Sequence, residues 1–231
     1  MKNVAIITAA GIGKRMNANQ PKQYLELAGR PILSHTLEKF ERAKSVDAIV
    51  LVCDVSSLSL VKSVILKKYP SPKVKWVVSG GVKRQDSVHA GIKAIPMGTQ
   101  NICVHDGVRP FITPELIDKS FEEAENHGAC IVAIPMKDTI KRVDNEGRIV
   151  ETVERAGLWR AQTPQTFKYE IIETAMKQAM TEGFYGTDEA MLVERLGHEI
   201  YILSGDEKNI KITTPEDLII AEAIAKNSPP L

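Results

Sequence analysis

Short runs of aliphatic and β-branched residues alternate along the chain with stretches in which apolar positions recur every three or four residues. Runs at 4–8, 48–53, 74–78, 102–104 and 129–134 predict strands. Those at 4–8, 48–53 and 129–134 are apolar almost without alternation, the pattern of strands covered on both faces. Between them, 32–40, 58–69, 87–95 and 116–127 carry helical spacing. Thr113-Pro114-Glu115 supplies an N-cap, a proline at the first helical position and an early acid. Helices at 169–182 and 187–196, a strand at 199–203 and an extended run, Asn209-Ile210-Lys211-Ile212-Thr213, follow. A last helix opens at Thr214-Pro215-Glu216-Asp217. This rhythm predicts an α/β fold, a mainly parallel sheet flanked by helices with right-handed crossovers. In such sheets ligands bind beyond the carboxyl ends of the strands.

The rhythm breaks after Pro135. Segments 137–143 and 148–155 predict two extended arms around the turn Asp144-Asn145-Glu146-Gly147. Neither arm alternates cleanly, and a lone hairpin is marginal in water, so it must lie on something. A symmetry mate and the hairpin's own domain both remain open on pattern alone. There is no repeat, low-complexity tract or linker, so 1–231 reads as one domain with an arm at about 137–157 inserted in it.

Charge narrows the partners. Lys and Arg number 30 against 29 Asp and Glu, a net charge of +1. Neither nucleic acid nor an anionic membrane is therefore expected as partner, and any anion recognition must be local. No stretch approaches the roughly 18 apolar residues of a membrane span. The apolar run after Met1 leads straight into Gly11-Ile12-Gly13-Lys14-Arg15, which is strand-then-loop chemistry rather than a cleavage site. Cys53, Cys103 and Cys130 lack CxxC spacing and lie in or beside apolar runs, which reads as buried thiols in a reducing compartment. The expected location is the cytoplasm.

The first chemical signal is Ala9-Ala10-Gly11-Ile12-Gly13-Lys14-Arg15-Met16, directly after the first strand. Glycines there let the backbone approach a phosphate, and exposed N–H groups with cationic side chains attract its charge. A dinucleotide fingerprint needs a third glycine where Met16 stands, and the P-loop spacing is absent. GxG alone also describes a plain tight turn. Lys22, within Gln20-Pro21-Lys22-Gln23-Tyr24, adds a further cation, which suits a polyphosphate better than a dinucleotide.

Taken together, AAGxGxRM and PKQY resemble the signature of sugar-phosphate nucleotidyltransferases, and specifically of their cytidylyltransferase branch. The fuller resemblance is to the 2-C-methyl-D-erythritol 4-phosphate cytidylyltransferase family of the non-mevalonate isoprenoid pathway. It runs almost end to end: Gly80-Gly81 with Arg84, Asp86 and Ser87; Val104 to Pro110 with its central Asp106; and 137–142 with 154–159. Segments 161–165, 187–190 and 209–213 complete it in order.

The resemblance implies a Rossmann-like nucleotidyltransferase fold with a projecting hairpin arm for homodimerisation. It implies attack by a substrate phosphate oxygen on the α-phosphorus of CTP, with pyrophosphate leaving. That nucleophile is already ionised at neutral pH, so catalysis rests on in-line positioning and charge neutralisation. On this reading Arg15, Lys22 and Lys211 are catalytic. Ala9, Ala10, Gly11, Gly13, Gly80, Gly81, Ser87, Asp106 and Gly107 bind the nucleotide. Thr139, Arg142, Arg155, Thr163, Thr187 and Arg109 bind the polyol phosphate, Thr139 and Arg155 acting from the partner's arm. Mg²⁺ is the expected cofactor, with Asp106 at the metal or its water shell. His105 reads as a packing histidine.

Two departures stand out. Many relatives carry an acid where this chain has Val82-Lys83, and Val108 is shared in character with ribitol-5-phosphate cytidylyltransferases. Ribitol 5-phosphate is thus the alternative acceptor, although Gly157-Leu158-Trp159 and Thr187-Asp188-Glu189-Ala190 favour the methylerythritol branch. Outside this class the rivals are an NAD-dependent oxidoreductase and a non-catalytic nucleotide-binding module.

Overall fold

A computed structural model describes residues 1–11, 16 and 20–227. In chain order its strands are β1 (Asn3–Ala9), β2 (Glu26–Leu27), β3 (Arg30–Pro31), β4 (Ala48–Cys53), β5 (Val74–Ser79) and β6 (Asn101–Asp106). They continue as β7 (Ala129–Pro135), β8 (Ile140–Val143), β9 (Ile149–Val153), β10 (Trp159–Lys168) and β11 (Tyr201–Ser204). Seven of them form one sheet in the order β11-β7-β10-β6-β1-β4-β5. β10 runs antiparallel to both of its neighbours, while the other pairings in this sheet are parallel.

Continuous apolar runs become strands sandwiched between helical layers, for a simple geometric reason. Successive side chains of β1 point to opposite faces. Val4 and Ile6 join a core with Val88, Ile92, Ile172 and Met176 from helices Arg84–Lys93 and Tyr169–Glu182. Ala5 and Ile7 join Leu33, Leu37, Phe40, Ile117 and Phe121 from helices Ile32–Arg42 and Pro114–His127. Thr113 caps the latter helix through Leu116 N–H as expected, a bond worth about 1 kcal/mol.

Three differences from the pattern have physical causes. Segment 58–69 is an interrupted helix with a wide π turn at Val61–Ile65, and that turn brings Val61 and Ile65 together into the core. Helix Arg84–Lys93 starts three residues before the apolar spacing does, because the Asp86 carboxylate accepts from Lys83 N–H and closes its first turn. Segment 161–165 belongs to β10, a central strand that the apolar pattern misses. Pro164 and three polar neighbours interrupt the run, and the pairing with β7 shifts register between Ala161 and Gln165 to take them in.

The hairpin forms as β8 and β9, which pair with each other in a separate two-stranded sheet. Gly147, at φ +83°, supplies the left-handed turn residue. Val143, Ile149 and Val150 on it are 53%, 65% and 62% exposed, so the arm does not fold back to bury its apolar side chains. No helix among the described residues is long and apolar enough to cross a membrane. All three cysteines are free and buried.

Candidate active site

From β1 the chain winds outward through β4 and β5, then returns to place β6 on the other side of β1. This reversal opens a crevice at the carboxyl ends of β1 and β6, where doubly wound sheets bind ligands. A pocket lies there. Its lining comes from four places: Thr8 to Gly11 with Lys22 and Gln23, Gly81 to Arg84 with Ser87, Asp106 with Val108, and Lys211.

Each wall is fixed by buried contacts. The Gln23 side chain is 1% exposed and donates from Nε2 to Ala9 O at 2.6 Å, so the turn carrying Lys22 is stapled to the end of β1. Ile212 N–H donates to Val108 O at 3.0 Å, and Ile212 is buried in a small core with Leu27, Val108 and Ala221. Lys211 therefore points the other way, into the pocket, from a segment that is extended without pairing as a strand. Gly80 packs against Ala10 and Ser87, where an added Cβ would come within 2.6 Å of both side chains.

Asp106 is the electrostatic centre. Its side chain is 5% exposed and meets three cations: Lys211 Nζ at 2.8 Å, Arg84 Nε at 3.2 Å and Arg109 Nε at 3.5 Å. Burial pushes its carboxyl up, but Arg84, Lys211 and Arg109 outweigh burial and hold it well below the ordinary carboxylate range. Arg84 NH1 also reaches both oxygens of Glu189, at 2.6 and 2.7 Å. Glu189 is 1% exposed; burial raises its carboxyl, and Arg84 opposes that rise.

A chain of neutral hydrogen bonds runs behind the acid. Asp106 N–H donates to Thr163 Oγ1 at 3.1 Å, and Thr163 shares 2.9 Å with His105 Nδ1. His105 Nε2 lies 3.3 Å from Arg109 O. With the carbonyl accepting from Nε2–H, Thr163 O–H donates to Nδ1 and the neutral tautomer is set. Burial lowers His105 from 6.5 to about 3. Unfolded, this imidazole takes a proton below about pH 6.5 that the folded protein refuses until about pH 3. Its stabilisation is therefore complete above pH 6.5 and lost as pH falls towards 3, with Asp106 adding to the loss below 3.8. The melting temperature is expected to fall between pH 7 and 4, and His105→Gln to flatten that slope. His35 and His89, both lowered in the same sense by burial, contribute to the remainder. Equal slopes in the two proteins would remove His105 from the account.

The sequence-predicted residues separate into groups. Lys22, Lys211, Ala9, Ala10, Gly11, Gly81, Ser87 and Asp106 line the same pocket. Gly13 and Arg15 lie outside the described residues. Gly80 and Gly107 pack behind the lining; Gly107 N–H donates to Thr8 O at 2.9 Å, and its carbonyl accepts from Thr36. Ser87 Oγ accepts from Gly81 N–H and donates to Lys83 O, so it shapes the loop from within.

Arg109 departs furthest from its expected part. It is 9% exposed, pairs with Asp106 and donates from NH1 to Asn209 O at 2.7 Å, so two of its nitrogens join two loops. Thr163 is likewise buried in the chain of bonds just described. Thr187 is exposed, with its hydroxyl 3.7 Å from Met191 Sδ. Thr139, Arg142 and Arg155 are exposed on the arm and are not in this chain's pocket lining. There Arg142 pairs with Glu151 at 2.6 Å, and Arg155 donates to Lys137 O.

Arg84, Glu189, Gln23 and Thr8 are the residues that sequence reasoning passed over. Arg84 and Glu189 stand inside segments the resemblance marked, yet their contact spans 105 positions and has no local signature.

A family model described as 2-C-methyl-D-erythritol 4-phosphate cytidylyltransferase matches residues 3–227. A protein of that name from Geotalea uraniireducens is 46% identical, the match covering 98% of each chain. Another from Syntrophus aciditrophicus is 44% identical, covering 97% of this chain and 96% of that one. Among solved structures, 4-diphosphocytidyl-2C-methyl-D-erythritol synthase from Anaerococcus prevotii superposes with a TM-score of 0.86 at 34% identity, covering 97% and 96% of the two chains. The Thermus thermophilus cytidylyltransferase gives 0.80 at 28% identity, covering 98% of this chain and all of that one.

Proposed function

The chain belongs to the 2-C-methyl-D-erythritol 4-phosphate cytidylyltransferase family, and we propose that the cleft between β1 and β6 is where it works. As a nucleotidyltransferase of this family it transfers CMP from CTP to 2-C-methyl-D-erythritol 4-phosphate, releasing pyrophosphate and giving 4-diphosphocytidyl-2-C-methyl-D-erythritol. The observation that carries the placement is the convergence of Lys22 and Lys211 on a loop following β1, with Asp106 between the strand ends.

The cations do the work of the reaction. As the acceptor phosphate oxygen forms its bond to the α-phosphorus and the bond to the β-phosphate side breaks, charge grows on the α-phosphoryl and the departing pyrophosphate. Lys22 and Lys211 neutralise it from the walls of the cleft, and the sequence adds Arg15 as a third cation. The backbone of Ala9 to Gly11 and of Gly81 borders the base and ribose. Cytosine's amino group is a donor where uracil has an acceptor, and a buried mismatch costs roughly 1–3 kcal/mol.

The donor set also bears on the metal. Among the described residues no group of three or more His, Cys, Asp or Glu side chains gathers to hold an ion. One carboxylate, Asp106, faces the cleft with both oxygens in ion pairs. Asp106 would lie at the water shell of a Mg²⁺ brought in by the triphosphate, and the ion would neutralise phosphate charge there.

Thr139 and Arg155 are assigned to the acceptor of the partner subunit, because the arm that carries them leaves its apolar residues exposed. A homodimer joined through the arm follows; three free, buried cysteines support the cytoplasm as location. Arg155→Ala is expected to raise KM for the acceptor about 10- to 100-fold with little change for CTP. Equal losses for both substrates, or a fully active monomer in sedimentation, would refute the arm's role. The acceptor is tested by incubating the protein with CTP, Mg²⁺ and either polyol phosphate while measuring pyrophosphate. Turnover with methylerythritol phosphate is expected. Turnover with ribitol phosphate alone would overturn the acceptor, and none with either would overturn the chemistry.

A further inference from the structure

The nucleotide loop and the 183–189 stretch are tied together by three consecutive side chains. Lys83 Nζ sits 3.2 Å above the Tyr185 ring. Arg84 grips both oxygens of Glu189. Gln85, 5% exposed, donates to Phe184 O and accepts from Gly186 N–H, both at 2.9 Å. Glu189 is fixed in turn by its backbone, since its N–H and that of Ala190 donate to Gln165 Oε1 of β10 at 3.1 Å. Arg84 thus lies between two acids from different walls, Asp106 at the floor of the nucleotide cleft and Glu189 at the end of the segment that carries Thr187.

We propose that Glu189 is a positioning residue that holds the Arg84 guanidinium in register with Asp106, and that the Asp106–Arg84–Glu189 line couples the nucleotide site to the polyol-phosphate site. Two physical consequences support the assignment. Glu189 occupies the far end of Arg84, so that Nε rather than the terminal fork faces Asp106; without it the fork swings to Asp106 and crowds the triphosphate end of the cleft with a second, mobile charge. With Thr187 taken as an acceptor contact, as the resemblance implies, an acceptor there would bear on the same backbone that carries Glu189, and through it on Arg84 and Asp106. A network of this kind, with packed side chains linking two sites, is a physical carrier of coupling free energy.

The inference rests on the assignment of CTP and methylerythritol phosphate to this cleft, and the test separates the two. Calorimetry would measure binding of methylerythritol phosphate with and without a CTP analogue whose α,β-bridging oxygen is replaced by methylene. The wild-type protein is expected to bind the acceptor about 5-fold or more tightly when the analogue is present. Glu189→Gln and Arg84→Lys should each bring that factor within about twofold, and the double variant should be no worse than either single one. Melting curves accompany each variant, since a merely structural role would lower stability and leave the factor intact. Undiminished synergy in both folded variants, or none in the wild type, would overturn the coupling. A wild-type protein that binds no analogue would overturn the underlying assignment instead. Where Glu189→Gln does not fold, Arg84→Lys decides, because that side chain is 29% exposed and retains its charge.

Discussion

Asp106→Asn is expected to lower turnover by about 100-fold or more and to cost about 3–5 kcal/mol of stability. Both effects have one origin. The carboxylate is the shared counter-charge of Arg84, Arg109 and Lys211, and it is almost fully buried. An amide of the same shape offers one acceptor oxygen and no charge. Arg109, itself 9% exposed, then keeps only its bond to Asn209 O as polar compensation in that cluster, and a buried cation without its anion is costly. Lys211 loses its 2.8 Å partner and Arg84 turns towards Glu189, so the geometry that receives the phosphates is lost along with the charge. The measurement is kcat alongside a denaturant titration of both proteins. A variant that melts with the wild type and turns over within about twofold of it would dismiss Asp106 as the organising charge.

How far such a site can be read from sequence depends on the range of the contacts that build it. β1, β4 and β7 are apolar on both faces, and a local run suffices to identify them. Helix Tyr169–Glu182 has a regular apolar stripe and a glycine stop at φ +65°, and its predicted limits match the structure. β10 is different. It lies inside the sheet, paired along both edges, yet Gln162, Thr163 and Gln165 are buried for the bonds they make with distant segments, not for hydrophobicity. No local rule detects a polar strand whose partners lie tens of residues away.

The same distinction holds within the cleft. Glycines and lysines at 9–22 point to a phosphate site through chemistry that is local. Arg109, expected at an acceptor phosphate, is also held by a contact 100 positions away, at Asn209, which no local pattern announces. Lys211 reaches the cleft only because Ile212 on one side of it is buried against Val108, a tertiary fact that five residues of extended pattern do not contain. Resemblance supplied what local pattern lacked, since it carries the memory of those distant contacts in the residues that make them.

Lys22→Ala offers the sharpest test of the chemistry, because Lys22 lines the cleft while its neighbours fill the core. Gln23 and Tyr24 are the buried residues of that turn, Gln23 holding Ala9 O and Tyr24 packing with Leu33 and Cys53. Lys22 instead lends its side chain to the cleft. Its removal should leave the melting temperature within a few degrees, roughly the scale of a 1 kcal/mol change, while kcat falls about 10²- to 10³-fold. KM for CTP should rise far less, because a cation that neutralises the charge developing during transfer acts more on the transition state than on bound CTP. Lys22→Arg separates charge from shape: a planar fork restores the charge without the compact ammonium, so a partial recovery places the effect in electrostatics. A rate unchanged in Lys22→Ala would show that the phosphates are tamed elsewhere. A rise in KM with kcat intact would reduce Lys22 to a docking contact for the nucleotide.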